Sequence, residues 1–419
     1  MRRTLLSLAA LFLAMGTTMA GFGHIGTFLS LRMGVEGFAE WTIGPVMSGY
    51  YVGLVIGATL CQRIVQRVGH IRAFSVFAAS NCAAVLFMPL WSEPVVWLLL
   101  RVVMGVSAMG MMMIVESWLN ERAPAEIRGR VFSFYMVVSF LGLGSGQYLL
   151  NIAPIEAANH FLVMGILFTL CVLPVALTSA VLPQPVGNIS INWSRIWKTA
   201  PFGLAGALVA GSLNGAFYSM APLYVKGLGA DVSQIANFMA ISLLGGLVLQ
   251  LPVGLVSDRF DRRTVLATLA LLLSLSSLGM LFIPAGQFWL LYLAIGAFGG
   301  LLFTLYPVAV AHTHDHFDSN QVVVLSAALI ISYGLGAVIG PLLVSLLNMV
   351  IGAQALFTTI AVTCLLFGTT IYLRRGFETV DIEDQEPFVP VASSTPVINT
   401  LDPRADEDQV TEMEDEYPE

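Results

Sequence analysis

The chain has 419 residues, of which 57% are apolar and only 11% are charged, and its mean hydropathy is +0.82. A soluble domain of average composition has about 25% charged residues, so these values exclude a water-soluble globular protein and, with it, the disordered, collagenous and nucleic-acid-binding classes. The net charge of −7 divides into −13 on residues 376–419 and +6 on the rest, which indicates a basic polytopic membrane protein with a short acidic tail.

Twelve apolar segments are long enough to cross a membrane, since a helical span needs about 20 residues. The first follows Met1-Arg2-Arg3 as a signal peptide would, but its apolar pattern continues to Leu31, which predicts an uncleaved helix. We expect one bundle over residues 1–182, a cytoplasmic linker over 183–200, a second bundle over 201–375 and a disordered acidic cytoplasmic tail over 376–419. The predicted spans are 4–31, 43–62, 73–90, 95–118, 131–152, 159–182, 201–225, 235–256, 265–284, 288–311, 321–347 and 353–373.

The distribution of basic residues predicts the orientation of these spans. If the N-terminus is cytoplasmic, 16 of the 19 Lys and Arg residues fall on the cytoplasmic side, Arg32 and Lys226 fall outside, and Arg101 lies within a span. Cytoplasmic loops carry the excess of Lys and Arg in multi-pass proteins. We therefore expect both termini in the cytoplasm.

The two sets of six spans are related by a constant offset of 192 residues. Arg67 and Arg259 share this offset, as do Gly53 and Gly245, and Gly-Leu-Gly occurs at 142–144 and again at 334–336. The offset predicts a duplicated six-helix unit, and parallel repeats around a site at the membrane midplane are a transporter design.

The loop between the second and third spans of each half carries a recognisable motif. Gly254-Leu-Val-Ser-Asp258-Arg259-Phe-Asp261-Arg262-Arg263 resembles the signature G-x-x-x-D-[RK]-x-G-[RK]-[RK] of the major facilitator superfamily, with Asp261 in place of the second glycine. The first-half copy retains only Arg67 and Gly69. Arg101-Val-Val-Met-Gly105 and the Arg-Gly-Arg at 128–130 are also similar to that family, and Glu-Ser-Trp-Leu-Asn at 116–120 resembles its bacterial YcaD-like branch. The resemblance implies an all-α fold of twelve transmembrane helices in two pseudo-symmetric six-helix bundles.

Charged residues of these loops have two interpretations. They form a conformational latch that breaks when the cavity opens inward, or they only set the topology. The latch residues would be Arg67, Gly69, Gly254, Asp258, Arg259, Arg262 and Arg263. Asp315 and Asp318 are expected to pair with Arg262 and Arg263.

Glu116 lies near the inner end of the fourth span. It is interpreted either as a gate residue paired with Arg67 or Arg128, or as a proton-coupling carboxylate, because ionisable groups within membrane spans are commonly functional.

Polar residues within the spans give the candidate substrate cavity. Arg101 reaches the outer headgroups, or it faces the cavity, where it either binds an anionic substrate group or tunes a proton acceptor. In the superfamily the first, fourth, seventh and tenth helices line the cavity, so His24, Thr27, Asn214 and Tyr218 either meet the substrate or bond between helices.

Other chemistry is not indicated. The histidines at 312, 314 and 316 are expected on a solvated loop without a metal, and the four cysteines show no disulfide or zinc spacing. The sequence has no ATP-binding loop and no catalytic constellation, so we expect neither an enzyme nor a cofactor.

The functional expectation is a secondary active transporter in a bacterial inner membrane that works by alternating access. Proton-coupled export of an amphiphilic or hydrophobic compound is expected first. The alternatives are uptake or facilitated transport of a small polar or anionic metabolite, and a non-transporting membrane sensor. The expected partners are a small-molecule substrate, protons and the bilayer, without nucleic acid; the sequence leaves the oligomeric state open, and a monomer is compatible with it.

Overall fold

The structure is a computed structural model that describes residues 2–122, 128–177, 191–317 and 321–374, together with Gln385 and Phe388. The helices of the first half are α1 (Arg2–Val35), α2 (Glu40–Val68), α3 (His70–Phe87), α4 (Pro94–Arg122), α5 (Arg128–Tyr148) and α6 (Asn159–Leu170), which α7 (Val172–Ala176) continues. A short linker helix, α8 (Trp193–Thr199), precedes the second half. The second half contains α9 (Pro201–Gly227), α10 (Val232–Ser257), α11 (Arg262–Leu281), α12 (Phe288–His314), α13 (Val322–Ile351) and α14 (Ala355–Leu373).

The helices have the length and composition of membrane spans. Within the described ranges, ten segments are long and apolar enough to cross a bilayer, and the last of them, Val324–Leu373, contains both α13 and α14. The remaining long helix, α5, packs against α1 of its own half and α10 of the other half. These helices confirm the predicted all-α fold of twelve spans.

Helix pairing is the same in the two halves. In the first half α2 packs on α4 and α1 on α5, and in the second half α10 packs on α12 and α9 on α13. Across the halves, α2 contacts α13 and α5 contacts α10. The offset found in the sequence therefore corresponds to equivalent helix pairs in space.

Glycines set the closest of these approaches. A Cβ on Gly53 of α2 would clash with the backbone of α4 at Val102, and a Cβ on Gly105 of α4 would clash with the backbone of α2 at Tyr50. Small residues allow membrane helices to approach to backbone contact. Gly245, which shares the 192-residue offset with Gly53, meets the backbone of α12 in the same way.

We call the end of the bundle that carries Val68, His70, Ser257, Arg262 and His314 the basic face, and the other end the opposite face. Hydrogen bonds join the two halves near the opposite face. They run from Ser30 Oγ to the carbonyl oxygen of Ser219 (2.7 Å), from Ser233 Oγ to Asn151 Oδ1 (2.6 Å) and from Asn348 Nδ2 to Glu40 Oε2 (2.9 Å). The structure is therefore closed at the opposite face.

Candidate functional site

A cavity of about 230 Å³ lies between the two halves in the middle of the bundle. Both halves contribute to its wall, through α1, α2, α4 and α5 on one side and α9, α10, α12 and α13 on the other. Most of the lining is apolar or aromatic. Methionines line it at 15, 19, 47, 112 and 136, phenylalanines at 22, 140 and 303, and tyrosines at 50, 51, 135, 218, 306 and 333. Its other polar residues are Arg101, Ser139, Asn214 and Gln250.

Arg101 supplies the charge of this cavity. Its side chain is 4% exposed, and its Cζ lies 4.7 Å from the ring centroid of Tyr50. Gly49 of α2 lies against the Cβ of Arg101. A side chain at position 49 would crowd the arginine, so the glycine leaves room for it. Of the three interpretations open for a membrane arginine, lipid-exposed snorkelling does not describe this buried position.

Within the part of the chain that the structure describes, no carboxylate balances that charge inside the cavity. Among the described residues Arg101 forms no ion pair, and its Nε has no hydrogen-bond partner. The lining residues include no Asp or Glu. A buried charge without a counter-ion is costly, so the site is electrostatically complementary to an anionic group of a ligand.

The tyrosines form two groups around this position. Tyr50 and Tyr51 meet edge to face with centroids 5.4 Å apart, and Tyr306 and Tyr333 do the same at 5.0 Å. Edge-to-face pairs are favourable aromatic geometries. They give the cavity flat apolar walls with hydroxyl groups at intervals.

Three of the five residues predicted for the cavity line it. Arg101 and Tyr218 do so, and so does Asn214, whose Nδ2 donates to the carbonyl of Ala210 (2.9 Å) while its buried Oδ1 has no partner. The sequence analysis missed Gln250 and five of the six tyrosines. In an apolar helix these residues carry no signal that separates a cavity from a helix contact.

His24 and Thr27 lie outside the cavity lining. His24 is fully buried with Nε2 3.2 Å from Nδ1 of His160 on α6, and Thr27 donates from Oγ1 to Gln147 Oε1 on α5 (2.7 Å). The cavity face of α1 carries residues 15, 19, 22 and 26, which follow the helical period. His24 and Thr27 are turned toward α5 and α6, where they bond between helices.

Glu116 is fully buried on α4 and is connected to the cavity. Its Oε1 accepts a hydrogen bond of 2.7 Å from the hydroxyl of Tyr135 on α5, and Tyr135 lines the cavity. Arg67, one partner considered from the sequence, is exposed at the end of α2. The side chain of Arg128, the other, lies outside the described residues.

Arg262 is the centre of the charged cluster at the basic face. Its side chain is 1% exposed; Nη2 lies 3.0 Å from Asp258 Oδ1, and Nη1 donates to Asp315 at the end of α12. Asp315 thus occupies the position that the sequence predicted for it. Asp318 lies outside the described residues.

The neighbouring residues of the motif have other contacts. Arg263 donates to the carbonyl oxygens of Ile371 (3.3 Å) and Arg374 at the end of α14, whereas Arg259 is exposed. Asp261 caps α11, since its carboxylate accepts from the backbone N–H groups of Arg263 (3.3 Å) and Thr264 (3.0 Å). The departure from the glycine of the family motif therefore supplies a helix cap.

The two motif glycines have different settings. Gly69 joins α2 to α3 with a φ of +81°, a left-handed conformation that favours glycine. Gly254 is buried near the end of α10.

The expectation of a solvated histidine loop is wrong. The tenth span continues as α12 to His314, so His312 and His314 are buried in its last turn. Ser326 Oγ lies 3.2 Å from Nε2 of His314, and Nδ1 of His316 lies 2.7 Å from the carbonyl oxygen of His312. Among the described residues no group of His, Cys, Asp or Glu is arranged to hold a metal ion.

Comparison with known proteins gives the family. The family model described as Major Facilitator Superfamily matches residues 6–242 and 205–401. The chain belongs to the major facilitator superfamily. The resemblance drawn from the loop motifs is thereby confirmed, and the chain is a multi-pass membrane protein of a transporter family.

The chain is also similar to individual members. It is 29% identical over 343 residues to the uncharacterized MFS-type transporter YcaD of Escherichia coli (strain K12 / DH10B), covering 80% of this chain and 87% of that protein. Among solved structures, the nucleoside transporter NupG superposes with a TM-score of 0.74 at 11% identity and covers 90% of this chain and 100% of that one. A bacterial homolog of the human lysosomal transporter Spinster, in an inward-facing and occupied conformation, gives 0.69 at 14% identity, over 90% of this chain and 97% of the other. These structures show the fold.

Proposed function

We propose that this protein is a secondary active transporter that carries a small amphiphilic anion by alternating access. The anionic group is bound by Arg101, and the apolar part lies among the methionines and aromatic rings of the cavity. The observation that carries the proposal is the buried, unpaired charge of Arg101 in a cavity whose described lining has no carboxylate. The sequence favoured an amphiphilic or hydrophobic solute, with a small polar or anionic metabolite as the alternative, and the buried charge of Arg101 supports an amphiphile that carries an anionic group.

The cavity walls support an amphiphilic rather than a highly polar solute. Methionine side chains adapt to varied apolar shapes, and the aromatic rings offer flat surfaces to an apolar body. Asn214 Oδ1 and the tyrosine hydroxyls provide polar contacts that orient it.

Alternating access fits the position of the cavity between two equivalent half-bundles. The halves are joined near the opposite face by the Ser30–Ser219 hydrogen bond and its neighbours. We assign the basic face to the cytoplasm, because loops rich in Lys and Arg stay on that side. In this assignment the protein lies in a bacterial inner membrane with both termini in the cytoplasm, and the structure is its inward-facing form.

Proton coupling through Glu116 is the second part of the proposal. The Glu116 carboxylate can only accept from the Tyr135 hydroxyl, whereas protonated Glu116 can also donate to it, and Tyr135 faces the substrate site. Binding of the anion and protonation of Glu116 would thus be coupled through the hydroxyl of Tyr135. Export driven by this coupling remains a prediction, which flux in each direction under an imposed pH gradient tests.

The anion-binding site is tested by ligand-induced stabilisation. Purified protein is heated with benzoate, salicylate or octanoate, each beside its neutral amide. A ligand present at about 100 times its Kd stabilises by about 2.7 kcal/mol. We expect at least one acid to raise the Tm of the wild type while its amide does not, and Arg101→Met to lose this rise.

The matched control is Arg130→Gln, which removes a charge from an exposed arginine at the start of α5. It should keep the stabilisation by the acid. Equal stabilisation by acid and amide, or full stabilisation of Arg101→Met, would contradict the assignment of Arg101 as the anion site.

A further inference from the structure

Phe388, one of the two described residues of the acidic tail, contacts the transporter at a defined place. Phe388 is half-buried, its backbone N–H donates to Asp258 Oδ1 (2.7 Å), and its ring lies against Gly254. A Cβ on Gly254 would clash with that ring. Gly254 and Asp258 are four residues apart and therefore share one face of α10, so Phe388 covers two residues of the charged motif at once.

The chemistry of the contact is complementary. The absent side chain of Gly254 leaves room for the aromatic ring, and Asp258 accepts from the tail while it also pairs with Arg262 at 3.0 Å. In the sequence, four acids at 381, 383, 384 and 386 precede Phe388, and the basic face presents the exposed Arg259 beside Asp258. Opposite charges favour the same docked position that the phenylalanine occupies.

The docked position lies where the two halves must meet when the basic face closes. α10 packs against α5 of the other half, and α5 begins at Arg128 at the basic face. Rocking of the halves brings these helix ends together. The first N–H groups of an α-helix have no partner within the helix and lie at the positive end of its dipole, so Asp258 is a suitable acceptor for those of α5. A tail bound to Asp258 and Gly254 competes with that closure.

We propose that the tail is an intramolecular brake, in which Phe388 docks on Gly254 and Asp258 and holds the transporter in the state closed at the opposite face. This adds a regulatory segment to the transporter. The test below needs no substrate, so its result is independent of the anion proposal.

Docking is measured in the full chain in lipid nanodiscs by the distance between two spin labels. One label is placed at Gln385→Cys in the tail and the other at Thr268→Cys, an exposed position on α11. Cys61, Cys171 and Cys364 are buried, so only Cys82 is replaced, by serine. We expect a narrow distance distribution that broadens in Phe388→Ala and in Gly254→Ala. A broad distribution in the labelled chain that keeps Phe388 and Gly254 overturns the proposal.

The brake is measured by a second label pair, Val35→Cys and Lys226→Cys, at the exposed ends of α1 and α9 on the opposite face. The docked tail acts like a ligand that binds only the state closed at the opposite face and shifts the equilibrium toward that state. Release of the tail should therefore raise the population of longer Val35–Lys226 distances by about threefold or more. Phe388→Ala and Gly254→Ala should act alike, and the double variant should add nothing further, since both remove one contact.

Phe260→Ala is the control, because Phe260 is an exposed phenylalanine in the α10–α11 loop, close to Asp258 in the sequence. It should leave both distributions unchanged. If Phe388→Ala broadens the tail distances but leaves the Val35–Lys226 distances as they were, the tail docks without acting as a brake and the proposal is wrong. An additive double variant would show that the two residues act separately and would also overturn it.

Discussion

Replacement of Arg262 by methionine tests whether the charged cluster stabilises the second half. Arg262 is 1% exposed and lies between two carboxylates, one of which, that of Asp315, has a side chain only 2% exposed. Methionine keeps much of the side-chain volume of arginine but removes its charge. Asp315 then loses Arg262 as its buried counter-ion. Breaking a buried ion pair from one side costs about 3–5 kcal/mol. The ion pair of Arg262 with Asp258 is different, because the Asp258 side chain is 33% exposed. We therefore expect Asp258→Asn to lower the free energy of unfolding by about 1 kcal/mol or less.

The assay is thermal unfolding in detergent, followed with a thiol-reactive dye. Cys61, Cys171 and Cys364 are buried, so the dye reports their exposure on unfolding. An unfolding entropy of about 2.1 cal/mol/K per residue over the chain corresponds to about 0.9 kcal/mol/K, so the loss should lower Tm by about 3–6 °C.

The matched control is Arg259→Met, since Arg259 is exposed in the same motif. It should shift Tm by less than about 1 °C, as surface substitutions usually change stability by under 0.5 kcal/mol. The reasoning is refuted if Arg262→Met and Arg259→Met unfold at the same temperature. It is also refuted if Asp258→Asn lowers the Tm more than Arg262→Met does. A second check is Arg262→Met combined with Asp315→Leu, which should recover part of the lost stability because the buried charge of Asp315 is removed and only the partly exposed Asp258 loses its partner.

Three further predictions concern packing, capping and coupling. Gly105→Ala should lower the free energy of unfolding by about 1–3 kcal/mol, because the added Cβ clashes with the backbone of α2. Gly144→Ala is the control and should unfold like the wild type, because a Cβ at position 144 has nothing within 4 Å. Equal Tm values for the two variants would contradict the close α2–α4 approach. Asp261→Ala should cost about 0.5–2 kcal/mol through loss of the α11 cap, and Asp261→Asn should recover much of it in the same assay. In vesicles loaded with a pH-sensitive dye, Glu116→Gln should abolish substrate-dependent proton movement while Tyr135→Phe weakens substrate binding or its coupling; proton flux that persists in Glu116→Gln would remove Glu116 from the proposal.

The helices and their pairing could be predicted because they rest on strong physical constraints. A span must be apolar for about 20 residues and must satisfy its backbone internally, so the predicted 4–31 and 201–225 correspond to α1 (Arg2–Val35) and α9 (Pro201–Gly227). The structure extends several predicted spans by a turn or more, since polar residues continue a helix beyond the hydrocarbon. His312 and His314 illustrate this: they were assigned to a loop because they are polar, but α12 continues through them.

The orientation of each helix about its axis was much harder to predict. In a soluble helix the apolar stripe indicates the buried face, but a membrane helix is apolar on all sides, and α1 contacts lipid, other helices and the cavity with similar residues. The choice of His24 and Thr27 as cavity residues followed their polarity. Their partners, His160 and Gln147, are more than 100 residues away in sequence, so nothing local indicated that they bond between helices.

The two halves, though related by the repeat, carry different chemistry at the basic face. The offset of 192 residues pairs Arg262 with His70, and each is the first residue of its helix. Both are buried, but Arg262 lies between two carboxylates while the ring of His70 stacks on Trp118 with centroids 6.1 Å apart. The sequence comparison matched Arg67 with Arg259, and both of those are exposed.

Among the described residues, two ion pairs of the basic face, those of Arg262 with Asp258 and Asp315, lie in the second half. An ion pair responds to charge, hydration and competing donors, whereas a stacked histidine and tryptophan respond mainly to packing. The segment that bears the tail contact is also in the second half, at Gly254 and Asp258. Substitutions of Asp258 and Arg262 should therefore shift the balance between the two conformations through charge, whereas substitution of His70 should act mainly through its packing on Trp118. The tail contact and the ion pairs of Arg262 thus lie in the same region of the second half, which opens that region to electrostatic control by the tail.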